Sequence, residues 1–510
     1  MTDRAGTGAA GAVGGAVGGA GSSDGSDGSD GSDSNAAIRA LGDFADDFFE
    51  REVFRTLSDY VGIRCLSPDF DPEWEANGEI DRAVELLAGW ARARAIPGVR
   101  VEVLKQPGLT PVIVAEVPAA AGPGGRAPQT ATLIYGHLDK QPPLGAWREG
   151  LDPFTPVREG DRLYGRGTAD DGYSIFAALG ALEALAAHGH AHGRCVVLIE
   201  ASEESGSSHL DAYLDDVAER AGPGGPDLVV CLDSGCATYD RLWATTSLRG
   251  NAILTLTVDV LTEGVHSGSA GAVVPSSFRI LRALLSRIED EETGEILVPE
   301  CNAAVPERLR KAAEDLARDL GDAAIESFPI VPGLELAGGD VAGRLLARTY
   351  APSLSVTGAS GLPALHEAGN VLRPSTSVKL SLRLPPSVDP SKAARAVADR
   401  LGEDAPSRAR VTVEIDSAAS GFEAPEAPEW LARAGDLASL VLFGNSAGAV
   451  GAGGTIPFLA ELQARFPGAQ FLVTGVLGPG SNAHGPNEML DLLTAKRVTA
   501  SVAHVIASAP

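Results

Sequence analysis

Between residues 132 and 207 the chain runs three times from an apolar stretch or a turn into metal-seeking or acid/base side chains: TLIYGHLDKQP, LYGRGTADDG and VVLIEASEESGS. Residues 132–135 and 195–199 are short, rich in β-branched side chains and flanked by glycine, so they read as buried parallel strands. In an open α/β sheet, ligand binding and catalysis gather at the carboxyl ends of such strands. Here those ends carry His137, Asp139, Glu203 and Glu204. A third run, 228–232, ends in Asp233, and a fourth, 471–476, leads through a Gly/Pro loop to His484.

The rest of the chain reads as scaffolding for that sheet. Amphipathic helices are predicted over 41–57 and 79–96, strands over 101–104 and 112–117, and a helix over 173–187 whose Phe176, Leu179, Leu182 and Leu185 form one buried face. A helix over 210–221 follows, and strand alternating with helix is the pattern of a mostly parallel sheet flanked by helices. Near Arg249 the pattern changes. Leu254, Leu256, Val258 and Val260 alternate with polar residues, as do Val378, Leu380, Leu382 and Leu384, which predicts an antiparallel sheet with one wet face. Helices are predicted over 275–288 and 390–401. The fold class expected is therefore α/β: a discontinuous catalytic domain, residues 37–248 and 421–510, with an inserted α+β domain over 249–420. A chain of 510 residues, 44% hydrophobic, exceeds what one core holds, which agrees with two domains. Residues 1–36, Gly/Ala-rich and then Gly-Ser-Asp repeats, read as a disordered tail.

A formal net charge of −27 argues against nucleic acid and against an anionic membrane surface as partners. No run approaches the roughly 20 apolar residues of a membrane span, and the N-terminus lacks a signal-peptide core. The cysteines are scattered with no C-x-x-C pair, so they read as small buried hydrophobes in a reducing cytoplasm. The HGHAHG stretch (His188, His190, His192) lies among glycines with no carboxylate beside it and reads as a solvated loop.

Imidazole nitrogen and carboxylate oxygen together suit zinc, with manganese or cobalt as alternatives. His137, Asp170, Glu204, Asp233 and His484 supply enough ligands for two divalent ions if one carboxylate bridges them. Glu203 is then left over. Neighbours on extended backbone point opposite ways, so Glu203 and Glu204 divide into one ligand and one free base. Such a base beside a metal-activated water can take its proton and later protonate a leaving amine. A lone histidine or an acidic pair is commonly an ordinary surface feature. Recurrence of ligand types at successive strand ends is not.

The ordered motifs H-x-D (His137, Asp139), GRGTADD, EESGS, LDSG, VHSG, GGTIP and AHGPNE resemble the M20 family of dinuclear zinc metallopeptidases, nearest to its carnosinase-like dipeptidase branch through YGHLDKQP and LYGRG. The resemblance implies that Asp170 bridges the ions, that His137 and Asp233 complete one and that Glu204 and His484 complete the other. Glu203 matches the general base, Asp139 the carboxylate that fixes the His137 ring, and the bond from Asp170 to Asp171 a cis peptide. It also implies a homodimer through the inserted lid domain, with His266 reaching a partner's site to bind the oxyanion. Arg383, Gly454 and Thr455 match residues that grip the substrate carboxylate. The function implied is hydrolysis of dipeptides or short peptides. An N-acyl amino acid amidohydrolase and a non-catalytic protein on the same fold are the alternatives.

Overall fold

The computed structural model describes residues 30–325 and 330–510. In chain order the strands used below are β1 (Arg100–Leu104), β2 (Val112–Val117), β3 (Thr132–His137), β4 (Cys195–Glu200), β5 (Leu228–Cys231), β6 (Gly250–Asp259), β7 (Ser353–Ser360), β8 (Ser375–Leu384), β9 (Arg410–Ala419) and β10 (Gln470–Val473). The central sheet has the order β1-β2-β4-β3-β5-β10. Strands β4, β3, β5 and β10 run parallel, while β2 is antiparallel to β4 and β1 to β2.

Alternate residues of these strands feed two cores. Ile134, Val197 and Val230 face one side, where helices Asp30–Phe48, Glu79–Arg92, Ser174–His188 and Leu492–Ser508 pack. Leu133, Tyr135, Val196, Leu198 and Val229 face the other, under helices Asp211–Ala221 and Pro457–Arg465. Both faces are covered, which is why the strands read as unbroken apolar runs. A side chain such as Leu198 contributes about 1.5–3 kcal/mol by this burial.

Helix Ser174–His188 departs from its expected single buried face, since Ser174, Ala177, Ala178 and Ala181 are buried as well as Phe176 and Leu182. The cause is a second covering layer. Helices Asp30–Phe48 and Leu492–Ser508 lie against its outer side, and the absent side chain of Gly180 admits the Phe48 ring, which an added Cβ would meet at 2.7 Å. The C-terminal helix in that layer is not read from the sequence. Helix Asp30–Phe48 also begins earlier than expected and takes in residues assigned to the tail. Residues 1–29 of that expected tail lie outside the described residues.

The second sheet, of order β7-β8-β6-β9, is antiparallel throughout. Leu254, Leu256, Val258, Leu380 and Leu382 pack on helices Ser277–Leu285 and Pro390–Gly402 in an apolar cluster of their own. Thr255, Thr257, Ser381 and Arg383 occupy the other face, as alternation predicts. Strand β7 and helices Glu307–Leu320 and Val341–Thr349 are additions to the expected elements. Among the described residues no helix is long and apolar enough to cross a membrane.

The central sheet therefore delivers His137 at the end of β3, the turn after β4, Asp233 after β5 and the long loop after β10 to one edge. Space there is tight. A Cβ on Gly136 would stand 2.2 Å from Ser174 Oγ and 2.6 Å from Asp171 Oδ2, closer than atoms pack. Gly136→Ala is expected to cost about 1–3 kcal/mol, read as a lowered denaturant midpoint with an unchanged slope.

Candidate metal centre

His137 and Asp170 meet first: His137 Nε2 lies 3.2 Å from Asp170 Oδ1, and also 3.8 Å from Asp233 Oδ2 and 3.9 Å from Glu203 Oε2. His484 Nε2 approaches the other oxygen, Asp170 Oδ2, at 3.0 Å and Glu204 Oε2 at 3.2 Å. Asp170 thus stands between the two histidines, and the bond joining it to Asp171 is cis. Two sets of ligand atoms, His137 with Asp170 and Glu204, and His137 with Glu203 and Asp233, are each compact enough to hold an ion. Glu203 therefore sits as close to this cluster as the residues expected to bind.

The Glu203–Ser205 segment is a helical turn, so the extended-backbone reason for separating Glu203 from Glu204 does not hold. Asp139 does the separating. Its Oδ1 accepts the N–H of Glu203 and its Oδ2 that of Glu204, each at 3.1 Å, and Oδ1 also lies 3.4 Å from His137 Nδ1. The His137 ring shares that nitrogen with the Asp139 carbonyl at 3.1 Å. One buried carboxylate thereby orients an imidazole and the acidic turn together.

Residues that sequence reasoning missed stand behind this layer. Gln141 Nε2 donates to Glu204 Oε2 at 2.7 Å. Lys140, fully buried, donates to the carbonyls of Tyr60, Val61 and Ile63 and closes the end of helix Phe54–Val61. Glu200 accepts from Tyr135, Ser202 and Ser207 and is pushed up to about 7 by burial. Each lies within the stretches that carry the ligands, but only three-dimensional contact reveals its partner. His188, His190 and His192 hold no place in the metal groups among the described residues, although His192 is buried against the Gly193 carbonyl rather than solvated.

Electrostatics decide what the cluster needs. Burial drives Glu203 and Asp233 well above the ordinary carboxylate range; His137 pulls them back, and neighbouring carboxylates push them further up. Burial lifts Asp171 to about 8. Burial also opposes ionisation of Asp170, yet hydrogen bonds from His137 and His484 hold it below its usual range. His137 is raised because Asp233, Asp139 and Asp170 outweigh its burial. His484, at the exposed rim, is pushed up to about 11 by Asp170 and Glu204 against the effect of partial burial. The ionised carboxylates outnumber the imidazoles, so the cluster in its fully charged form wants cations, and its nitrogen and oxygen donors fit a zinc-type divalent ion.

A cleft of about 710 Å³ opens over the centre, lined by Glu203, Glu204 and His484 on one side and by Arg383 and Thr455 on the other. Arg383 Nη1 donates to Thr455 Oγ1 at 2.7 Å, and that hydroxyl donates to the Arg249 carbonyl at 2.5 Å. Gly454 is exposed beside this pair. His266 is elsewhere. It is exposed on a short ladder with Val371, its Nδ1 accepting from Gly268 N–H at 3.1 Å, and among the described residues it bonds none of the centre's groups.

The model for peptidase family M20/M25/M40 matches residues 133–508. The chain belongs to that family. It is thus a hydrolase, and peptidases of this family are metal-dependent. The cysteinylglycine-S-conjugate dipeptidase of Corynebacterium striatum is 28% identical over 373 residues, 72% of this chain and 78% of its own. The dipeptidase Dug1p of Saccharomyces cerevisiae superposes with a TM-score of 0.72 at 21% identity, covering 93% of this chain and 98% of its own. Human carnosine dipeptidase 1 gives 0.71 at 22%, covering 92% and 99%. These two structures share the fold.

Because His484 is held protonated up to about pH 11 in the metal-free chain, an entering ion displaces a proton. Its ionic contacts stabilise that form below about pH 6.5 and cease to do so as pH climbs towards 11. Zinc affinity is therefore expected to rise between about pH 6 and 8 with proton release. Calorimetry near pH 7 in buffers of different ionisation enthalpy checks this; buffer-independent heats would contradict it.

Proposed function

We propose that the chain hydrolyses dipeptides or short peptides with two divalent ions per subunit, zinc first and manganese or cobalt as alternatives. His137 and Asp233 would hold one ion, Glu204 and His484 the other, and Asp170 both. The observation that carries this reading is the meeting of His137 and His484, from distant parts of the chain, on the two oxygens of Asp170. When bound, the ions supply Lewis acidity toward the scissile carbonyl and acidify a water.

The chain's own residues supply the rest. Glu203, as the ionised carboxylate, takes a proton from the attacking water and hands it to the leaving amine. Arg383, aligned by Thr455 and flanked by Gly454, binds the substrate's terminal carboxylate, for which a planar bidentate donor is suited. His266 donates to the developing oxyanion from a second copy of the chain, a role its exposure permits. Residues 249–420 then form the lid and the homodimer contact, a division supported by the separate apolar cluster of the second sheet. Similarity to a dipeptidase over 72% of this chain, against 31% for an N-fatty-acyl-amino acid synthase/hydrolase, supports peptide over N-acyl substrates. Five free, buried cysteines support a reducing, cytoplasmic setting.

A screen of dipeptides against N-acetyl amino acids tests the substrate class, with hydrolysis of the dipeptides expected. Glu203→Ala should keep both ions by elemental analysis and lose about 10²- to 10⁴-fold in kcat; near-normal turnover would refute its role. Arg383→Ala should lower kcat/KM about 10- to 100-fold for free dipeptides and far less for C-terminally amidated ones.

A further inference from the structure

Glu488 has no part in the mechanism above, yet it is the most fully engaged carboxylate beside the centre. It is buried with no exposed surface. Its Oε2 accepts from Arg166 Nη1 at 2.6 Å and from Gly167 N–H at 3.0 Å; its Oε1 accepts from Ala169 N–H at 3.0 Å and from Asp170 N–H at 3.2 Å. Every partner is a donor, and all belong to the turn that carries Asp170. Arg166 extends the connection, because its Nη2 donates to the carbonyl of Gly485, the residue after His484, at 2.8 Å.

The backbone makes the same junction. Gly165 N–H donates to the Glu488 carbonyl at 3.1 Å, Met489 N–H closes the loop onto Ser481 at 2.9 Å, and strand Met489–Asp491 pairs with Arg162–Tyr164. His484 itself sits at φ 62 and Asn487 likewise at φ 62, left-handed conformations that are uncommon outside glycine although Asn and His adopt them more readily than most. The loop is held by its attachment to the Asp170 turn, by the Arg148 N–H on Asn487 Oδ1 and by bonds of its own, Gly485 N–H to the Asn482 carbonyl among them.

We propose that Glu488 is a positioning residue. With Arg166 as its bridge it fixes the spacing of Asp170 and His484, and thereby sets the affinity of the Asp170–Glu204–His484 side for its cation. The inference rests on the metal reading given under the proposed function. It assigns Glu488 no contact with substrate or ion. Glutamine tests it sharply, since its amide NH₂ would face donors only and find no acceptor.

The experiment uses the full chain, stripped of metal and titrated with zinc against a chromophoric chelator, together with the visible spectrum of the cobalt-loaded protein. Glu488→Gln should weaken the site that includes His484 about 10- to 100-fold, weaken the other by less because it shares only Asp170, and alter the cobalt d–d bands. Excess zinc should restore turnover. Arg166→Lys keeps the charge but loses the reach to Gly485, so a smaller loss at the same class of site is expected. Val498→Ala, in the core of the C-terminal helix, controls for a general loss of stability and should lower Tm without changing either affinity. Wild-type affinities in both Glu488→Gln and Arg166→Lys, or an equal affinity loss in Val498→Ala, would overturn the assignment. If Glu488→Gln does not fold, Arg166→Lys alone decides. A wild-type chain that binds no zinc would overturn the metal reading and this inference with it.

Discussion

Like charges brought together in a buried space repel, and the whole edge of this protein is built to hold them there regardless. Asp170 is the centre of the arrangement: one oxygen faces His137 and the other His484, while Glu203, Glu204 and Asp233 crowd round the same imidazoles. Without cations the only relief is protonation, and the upward displacement of Glu203 and Asp233 expresses that. In the proposed function Asp170, Glu204 and Asp233 would serve as ligands once cations enter, and Glu203 would stay free as the base. The fold stores the cost of this crowding in its scaffold, and metal binding recovers it.

The scaffold explains why these side chains cannot move apart. Three parallel strands end beside one another, each pinned on both faces by apolar side chains. Asp139 ties the β3 end to the turn after β4 by taking both N–H groups of Glu203 and Glu204. Lys140 anchors the same segment to the end of a helix through three carbonyls. The turn bearing Asp170 and the loop bearing His484 are in turn locked to each other. The second sheet contributes differently, since its wet face presents Arg383 across the cleft while its dry face, among the described residues, packs in an apolar cluster of its own.

Much of this was legible in the residues because local pattern and chemistry coincide. An apolar β-branched run that ends in His-x-Asp or Glu-Glu states both a strand and its use, and the alternation of Leu254, Leu256 and Val258 states a one-sided sheet. The illegible parts depend on long-range contact. The C-terminal helix is buried on most of its surface because other helices cover it, and its buried side includes Thr494, Thr499 and Ser501, so its residues do not divide into the apolar and polar stripes by which helices are read. The helical form of Glu203–Ser205 follows from Asp139 gathering its N–H groups, which no spacing announces. Lys140 and Glu200 look like ordinary charges until the carbonyls and hydroxyls around them are seen.

The central claim is that this edge holds cations between His137 and His484. The most direct test is a crystal structure of the zinc-loaded protein with anomalous data collected on both sides of the zinc absorption edge. The account predicts strong anomalous density in contact with Asp170, flanked by His137 with Asp233 and by Glu204 with His484. Density confined to other sites, or none at Asp170 in a zinc-replete crystal, would contradict it.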